Sequence, residues 1–332
     1  LIPSRPAFIV GSGPSLDQSA PLLKNIGDRG VILAAASSLK PLLAYGVSPD
    51  VVLTLESSDT SGYLELSPEE RLVLGQETVL ALASSVHPAH FKVRGFHQAV
   101  FHLTAGEAQT FGCGLFLPQG GNAGSAAFAL AYCWGLDPLI LVAQDQAYAN
   151  GRLHAGGTPG TAQDGSRGDI AIRGLGDSRV TTDSGLLASL NWFAEAAKTI
   201  RRRPSPPALF NAAAAGAVIP GFSQTDLGAL TASLAPAPSK LNLARALAKS
   251  PPASKEEIQD DLAQMAGLIN TLRRLARMDH KKAFAEIREI GAISKFLAQI
   301  LAGAAAADSR GELLGALDKA DGLMSLMLSS FQ

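Results

Sequence analysis

Cysteine is scarce in this chain of 332 residues: only Cys113 and Cys133 occur. Two cysteines supply neither a metal-binding spacing nor a disulfide framework, so a reducing cytoplasm is the expected setting. No apolar run approaches the length of about 18 residues that would cross a bilayer, so no membrane span is expected. No signal-peptide pattern opens the chain, and its start at Leu1-Ile2-Pro3, almost directly before a strand, reads as that of a fragment of something longer. Charge is sparse and balanced, 17% of residues with a formal net charge of −1, which gives no general case for nucleic acid or membrane surfaces. Several catalytic signatures are missing. There is no GxxxxGK[ST] loop, no GxSxG elbow, no HExxH and no D-x-D.

What the chain has in plenty is apolar residues, 47% of the total, enough for a sizeable core. PAFIVG (6–11), Val31 to Ala36, VVLTLE (51–56), Thr78 to Ala83, Val100 to Leu103, Leu139 to Ala143 and Leu209 to Asn211 read as short strands. Helical stretches lie between them, through Leu22-Leu23, over Leu39 to Tyr45 and up to Gly135. This alternation predicts an α/β fold: a Rossmann-like, mostly parallel sheet with helices on both faces. Between Ala149 and Val180 the pattern fades into a glycine-rich loop with Gly151, Gly156, Gly157, Gly160, Gly165, Gly168, Gly174 and Gly176. Loops of that length are usually functional or disordered. Thr182-Asp183-Ser184 then offers N-cap residues for a helix through Ile200.

From about residue 223 only helical spacing remains. Leu262, Met265, Leu268, Ile269 and Leu272 form one stripe, and Ile287, Ile290, Ile293 and Leu297 another, after a break at Pro251-Pro252. The expected organisation is therefore residues 1–222 as an α/β domain and 223–332 as a helical bundle. The basic runs Lys198 to Arg203 and Arg273 to Lys282 read as solvated helix faces.

Two stretches carry the expected chemistry. The first strand runs into Gly11-Ser12-Gly13-Pro14-Ser15-Leu16-Asp17, and Gly120-Gly121-Asn122 opens a later helix of small residues. Free amides at two helix starts, brought side by side by adjacent strands, would attract an anion such as a phosphate. Asp145 follows the strand after that helix, at the strand's carboxyl end, where open parallel sheets bind ligands. The first turn is not the dinucleotide fingerprint. Leu16 occupies the third glycine position, and no acid closes the second strand. His154 lies in the glycine-rich loop, and an imidazole near neutral pKa suits proton transfer. His87 and His90 lack a third clustered ligand and read as structural; Glu56, at the end of the third strand, reads as a strand-end carboxylate.

IVGSGPSLD, SLKPLLAYGVSPDVVLTLE, GGNAGSAAFALAYCWGLDPLILVAQDQAY, TTDSGLLASLNWF and FNAAAAGAVIPG, in that order over residues 5–225, together resemble the Maf (motility-associated factor) proteins. These are bacterial glycosyltransferases that place nonulosonic acid sugars on flagellin. The core also resembles the 6-hydroxymethylpterin diphosphokinases and, more distantly, the CMP-sialic-acid-dependent sialyltransferases. The resemblance implies a cytoplasmic transferase that moves a sialic-acid-like sugar from a CMP donor to Ser or Thr of flagellin, without a required metal. Gly11, Ser12, Gly13, Ser15, Ser37, Gly121, Asn122, Ser125 and Asn211 would then hold the donor. Asp145 would orient it, His154 would activate the acceptor hydroxyl, and the helical region would recognise flagellin. The diphosphokinase alternative needs ATP with Mg²⁺ and a flat pterin pocket, which 6% aromatic residues make harder to build. A third alternative is a non-catalytic flagellin-binding chaperone. In its favour, Asn211-Ala-Ala-Ala-Ala-Gly216 lacks the acidic residue common in the family's late motif.

Overall fold

The computed structural model describes residues 5–24, 26–103, 115–149, 151–160, 168–235, 255–293, 304, 307 and 309–329. Cys113, Gly165, Pro251-Pro252 and Leu297 lie outside these, as do the side chains of Leu262, Met265, Ile290 and Ile293. The α/β part comprises β1 (Ala7–Val10), α1 (Leu16–Leu23), β2 (Val31–Ala35), α2 (Leu39–Ala44), β3 (Val51–Thr54), α3 (Pro68–Leu74), β4 (Val79–Ala83), β5 (His97–His102), β6 (Leu115–Phe116), α4 (Ala123–Cys133), β7 (Leu139–Val142), β8 (Ile170–Arg173), β9 (Arg179–Thr182), α5 (Ser184–Ile200), β10 (Leu209–Asn211), β11 (Ser223–Gln224) and α6 (Leu227–Ser233).

The sheet runs β11-β10-β7-β1-β2-β3-β4-β5-β6. β1 lies parallel between β2 and β7, with Phe8 opposite both Ile32 and Ile140. β1, β3, β4 and β7 are buried at every residue, as their unbroken apolar runs require when helices cover both faces. Side chains alternate across the sheet. Phe8, Val10, Ile32, Ile140 and Val142 meet Leu16, Leu23, Leu42 and Leu227 from α1, α2 and α6. Burying one such large side chain stabilises by about 1.5–3 kcal/mol. α4 packs on β1, β2 and β3, so it covers the opposite face. Its residues Gly124 to Ala131 are all buried, and their small side chains let it approach the strands closely. Phe128 of α4 packs edge-to-face on Trp192 and Phe193 of α5 and on Phe222.

Two features depart from the pattern read in the sequence. The glycine-rich stretch runs into an antiparallel hairpin, β8 with β9, with Ile170 opposite Thr182. The α/β layer also continues past residue 222. β11 joins the sheet edge beside β10, and Leu227 of α6 enters the core, with Leu230 packed against it.

The chain divides into two compact units, Leu1–Val100 with Leu117–Lys249, and Phe101–Phe116 with Ser250–Gln332. The helices of the second are α7 (Lys255–Met278), α8 (His280–Ile293) and α9 (Arg310–Ser329). Ile269, Leu272, Ala276, Ala283, Ile287, Leu313 and Leu317 form their shared core. Arg273, within the second basic run, pairs with Asp318 and Asp321 of α9, at 2.5 and 2.7 Å. That arginine ties two helices together and is not a free cationic face.

Candidate functional site

The order of the sheet creates a crossing point. From β1 the chain steps outward through β2 to β6, then returns to place β7 on the other side of β1. Loops that leave the carboxyl ends of two such strands diverge, and ligands of open α/β sheets bind in the crevice between them. Here these are the turn Gly11–Ser15 after β1 and the turn Ala143–Gln146 after β7. The second turn is strained. Ala143 and Gln146 carry positive φ, 50° and 52°, which costs roughly 1–3 kcal/mol each for a residue with a side chain. Neighbours hold it there. The Gly13 amide donates to the Ala143 carbonyl at 3.0 Å, the Ala217 amide to the Asp145 carbonyl at 2.7 Å, and Thr182 Oγ1 to the Gln146 carbonyl at 2.9 Å.

Asp145 is 3% exposed and turns onto the start of α1. The Ser15 amide donates to its Oδ2 at 2.8 Å, and the Ser15 hydroxyl donates to its Oδ1. The carboxylate expected to orient the donor therefore caps α1. Burial pushes its pKa up to about 6, against the pull of the two Ser15 bonds, and the Asp17 carboxylate adds to the rise. Two neighbouring amides are also engaged. Gly11 donates to the Val142 carbonyl and Leu16 to the Gly13 carbonyl, both at 2.9 Å. A Cβ on Gly13 would lie 2.6 Å from Asp145 Cγ. The glycine thus admits the aspartate, and the expected row of free amides at this turn is not found, because the protein's own carboxylate takes the place of an anion.

The start of α4 is built differently. Asn122 is its N-cap: the Ser125 amide donates to Asn122 Oδ1 at 2.8 Å, and Asn122 Nδ2 donates to Ser189 Oγ of α5 at 2.6 Å. Ser125 Oγ donates to the Asn122 carbonyl and accepts from the Gly120 amide, which holds the turn in shape. The Gly121 amide bonds the Gln119 side chain. Gln144 lies between this helix start and the first turn. Its Nε2 is 2.4 Å from where a Cβ on Gly124 would stand and 2.9 Å from one on Gly11. The two glycine turns therefore do meet, with the Gln144 carboxamide filling the gap between them. Gln146 Nε2 donates to Gln144 Oε1 at 3.4 Å, and among the described residues Gln144 Nε2 and Gln146 Oε1 have no partner. A buried unsatisfied polar group costs about 1–3 kcal/mol.

His154 reaches the rim of the first turn. Its Nδ1 is 3.1 Å from Ser12 Oγ, and Ser37, in the turn after β2, donates to the same Ser12 oxygen at 3.0 Å. The loop that carries His154 is tethered beside it. The Ala155 amide donates to the Ser12 carbonyl at 2.8 Å. Asp17 accepts from Arg152 Nη2 at 2.5 Å and from the Gly156 amide at 2.8 Å.

Of the residues singled out in the sequence, Gly11, Ser12, Gly13, Ser15, Ser37, Asp145 and His154 thus gather at one place, and Gly121, Asn122 and Ser125 shape the adjoining helix start. Asn211 is buried and turned onto its own loop, accepting from the Ala213 amide at 3.1 Å. It borders a cavity of about 300 Å³ with Arg173, Phe222 and Gln224; another cavity, of about 290 Å³, opens at the amino ends of β2 to β4 beside Ile32, Asp50 and Thr78. Neither is lined by Ser12, Asp145 or His154. His87 and His90 sit in a short turn, where His90 Nε2 meets Thr60 Oγ1 at 3.0 Å. Among the described residues no three His, Cys, Asp or Glu side chains cluster in a way that would hold a metal, and no helix is long and apolar enough to cross a membrane. Gln144, Gln146, Asp17 and Arg152 carry no motif and were not singled out in the sequence. The nearest sequence signal is the polar triplet Gln144-Asp145-Gln146 straight after a fully apolar strand.

This architecture matches a solved structure, that of a Maf glycosyltransferase from Magnetospirillum magneticum AMB-1, with a TM-score of 0.62 over 99% of this chain and 20% identity. The fold is Maf-like. The chain covers 52% of that protein's length. Residues 2–151, from before β1 to just past β7, also match the family described as 6-hydroxymethylpterin diphosphokinase MptE-like. Among curated proteins none matches the sequence significantly.

Proposed function

We propose that this chain is a glycosyltransferase of the Maf type, which moves a nonulosonic sugar from a CMP donor to Ser or Thr of flagellin in the cytoplasm. The observation that carries this reading is the group Ser37, Ser12 and His154, held at the crossing point of a Maf-like sheet. With Nδ1 protonated and donating to Ser12 Oγ, which has two lone pairs and also accepts from Ser37, His154 keeps a lone pair on Nε2. That is the state a general base needs to take a proton from an acceptor hydroxyl while the sugar–phosphate bond breaks. Asp145 acts from beneath by fixing Ser15 and the first turn. Ser12, Ser37 and the start of α4 line the place for the donor, and the helical unit is the region proposed to receive flagellin. No metal is invoked.

The match of residues 2–151 favours a second reading, a diphosphokinase-like phosphotransfer with ATP and Mg²⁺. Thermal melting with CMP, CMP-N-acetylneuraminate and ATP plus Mg²⁺ separates the two. Stabilisation by the cytidine compounds supports the transferase, and stabilisation by ATP with Mg²⁺ alone moves the assignment to the kinase. Replacing His154 with Ala is expected to lower flagellin modification in cells by at least a hundredfold. Unchanged modification would remove His154 as the base.

A further inference from the structure

We propose that Gln144 is a ligand-contacting residue whose Nε2 donates to an anionic oxygen, of a phosphate or a carboxylate, seated at the start of α4; that this anion belongs to a nucleotide sugar rests on the reading above. Gln144 is 6% exposed, and its Nε2 has no partner among the described residues. The fold nevertheless makes room for it twice, since a Cβ on Gly11 or on Gly124 would overlap its carboxamide. A methionine of similar length would fill the same space with no unused donor. Keeping an amide there makes physical sense if an acceptor arrives from outside.

The surroundings identify that acceptor. The backbone amides of Ala123 and Gly124, in the first turn of an eleven-residue helix, likewise make no hydrogen bond among the described residues. Asn122 caps only the Ser125 amide. Two backbone donors of this helix start and one side-chain donor lying against Gly124 are thus left without an acceptor among the described residues, at the positive end of the helix. A group with several lone pairs and negative charge fits, whereas a cation or an apolar group does not. At the start of α1 the same need is met internally by Asp145.

The test uses the full chain with Gln144→Met and Gln144→Glu. Melting is measured without ligand, and binding of CMP, inorganic phosphate and N-acetylneuraminate is measured by calorimetry. Gln144→Met is expected to melt at or above the wild-type temperature yet bind at least tenfold more weakly. Gln144→Glu is expected to lose at least as much affinity, because it sets like charges together. Loss confined to CMP and phosphate identifies a phosphate, and loss confined to N-acetylneuraminate identifies a carboxylate. A Gln144→Met chain that melts several degrees lower makes the amide a structural group and overturns the proposal. Unchanged affinity for all three probes does the same, as does a wild-type chain that binds none of them. A wild-type chain that binds phosphate, with the tenfold loss in Gln144→Met, but shows no preference for CMP over AMP keeps the contact and discards the cytidine donor.

Discussion

The starts of α1 and α4 carry similar sequence signals and are finished in opposite ways. Both follow glycine-rich turns, and both adjoin the crossing point of the sheet. At α1 the amide of Ser15 meets the buried carboxylate of Asp145, and Gly13 is bare so that this carboxylate fits. At α4 the cap residue Asn122 satisfies one amide, and a glutamine with an idle donor fills the space beside Gly124. A glycine in sequence says that something comes close to the backbone. It does not say whether that something is a ligand or another part of the chain.

Substitutions can break this contrast, and the largest effect is expected at α1. Asp145 binds its proton more tightly folded, at about 6, than the ordinary value of 3.8. Its stabilising contribution is therefore complete below about pH 3.8 and is lost as pH rises through about 6, where a buried charge must be kept. Asparagine does not titrate. Asp145→Asn is thus expected to gain on the wild type by on the order of 3 kcal/mol between pH 4 and pH 7.5, read from urea unfolding at each pH. A pH-independent gap would mean that the carboxylate is not buried as described. Gly13→Ala should come next, at about 2 kcal/mol, since its methyl meets both Asp145 Cγ and the Ala143 carbonyl, which is backbone and yields poorly. The smallest effect falls at α4. Asn122→Ala removes a cap and the bond to Ser189, about 1 kcal/mol by the same unfolding measurement, and Asn122→Asp should recover most of it. A larger loss at Asn122 than at Gly13 would reverse the contrast.

Much of the frame was legible because its signals are local. The apolar runs of β1, β3, β4 and β7 declare strands buried on both faces, and Asp183 and Asn122 declare helix starts, where both side chains do accept the expected amides. The hairpin of β8 and β9 was not legible. Its strands IAIR and RVTT are short and half exposed, and the surrounding glycines mask their alternation. The candidate site was legible as a set of residues and illegible as a set of bonds. Gly13, Ser15 and Asp145 were all singled out, but only three dimensions show that residues 130 positions apart satisfy one another. Gln144 was missed because a carboxamide takes its meaning from what it lacks, and no spacing records that.

Asp17 grips the loop of His154 at two points, through Arg152 on one side and the Gly156 amide on the other. Both feet of this small hoop stand on a single carboxyl group. The crown is fastened as well, His154 Nδ1 to Ser12 Oγ and the Ala155 amide to the Ser12 carbonyl. Removing the Asp17 carboxylate would therefore release both feet at once and leave the arch attached at its top.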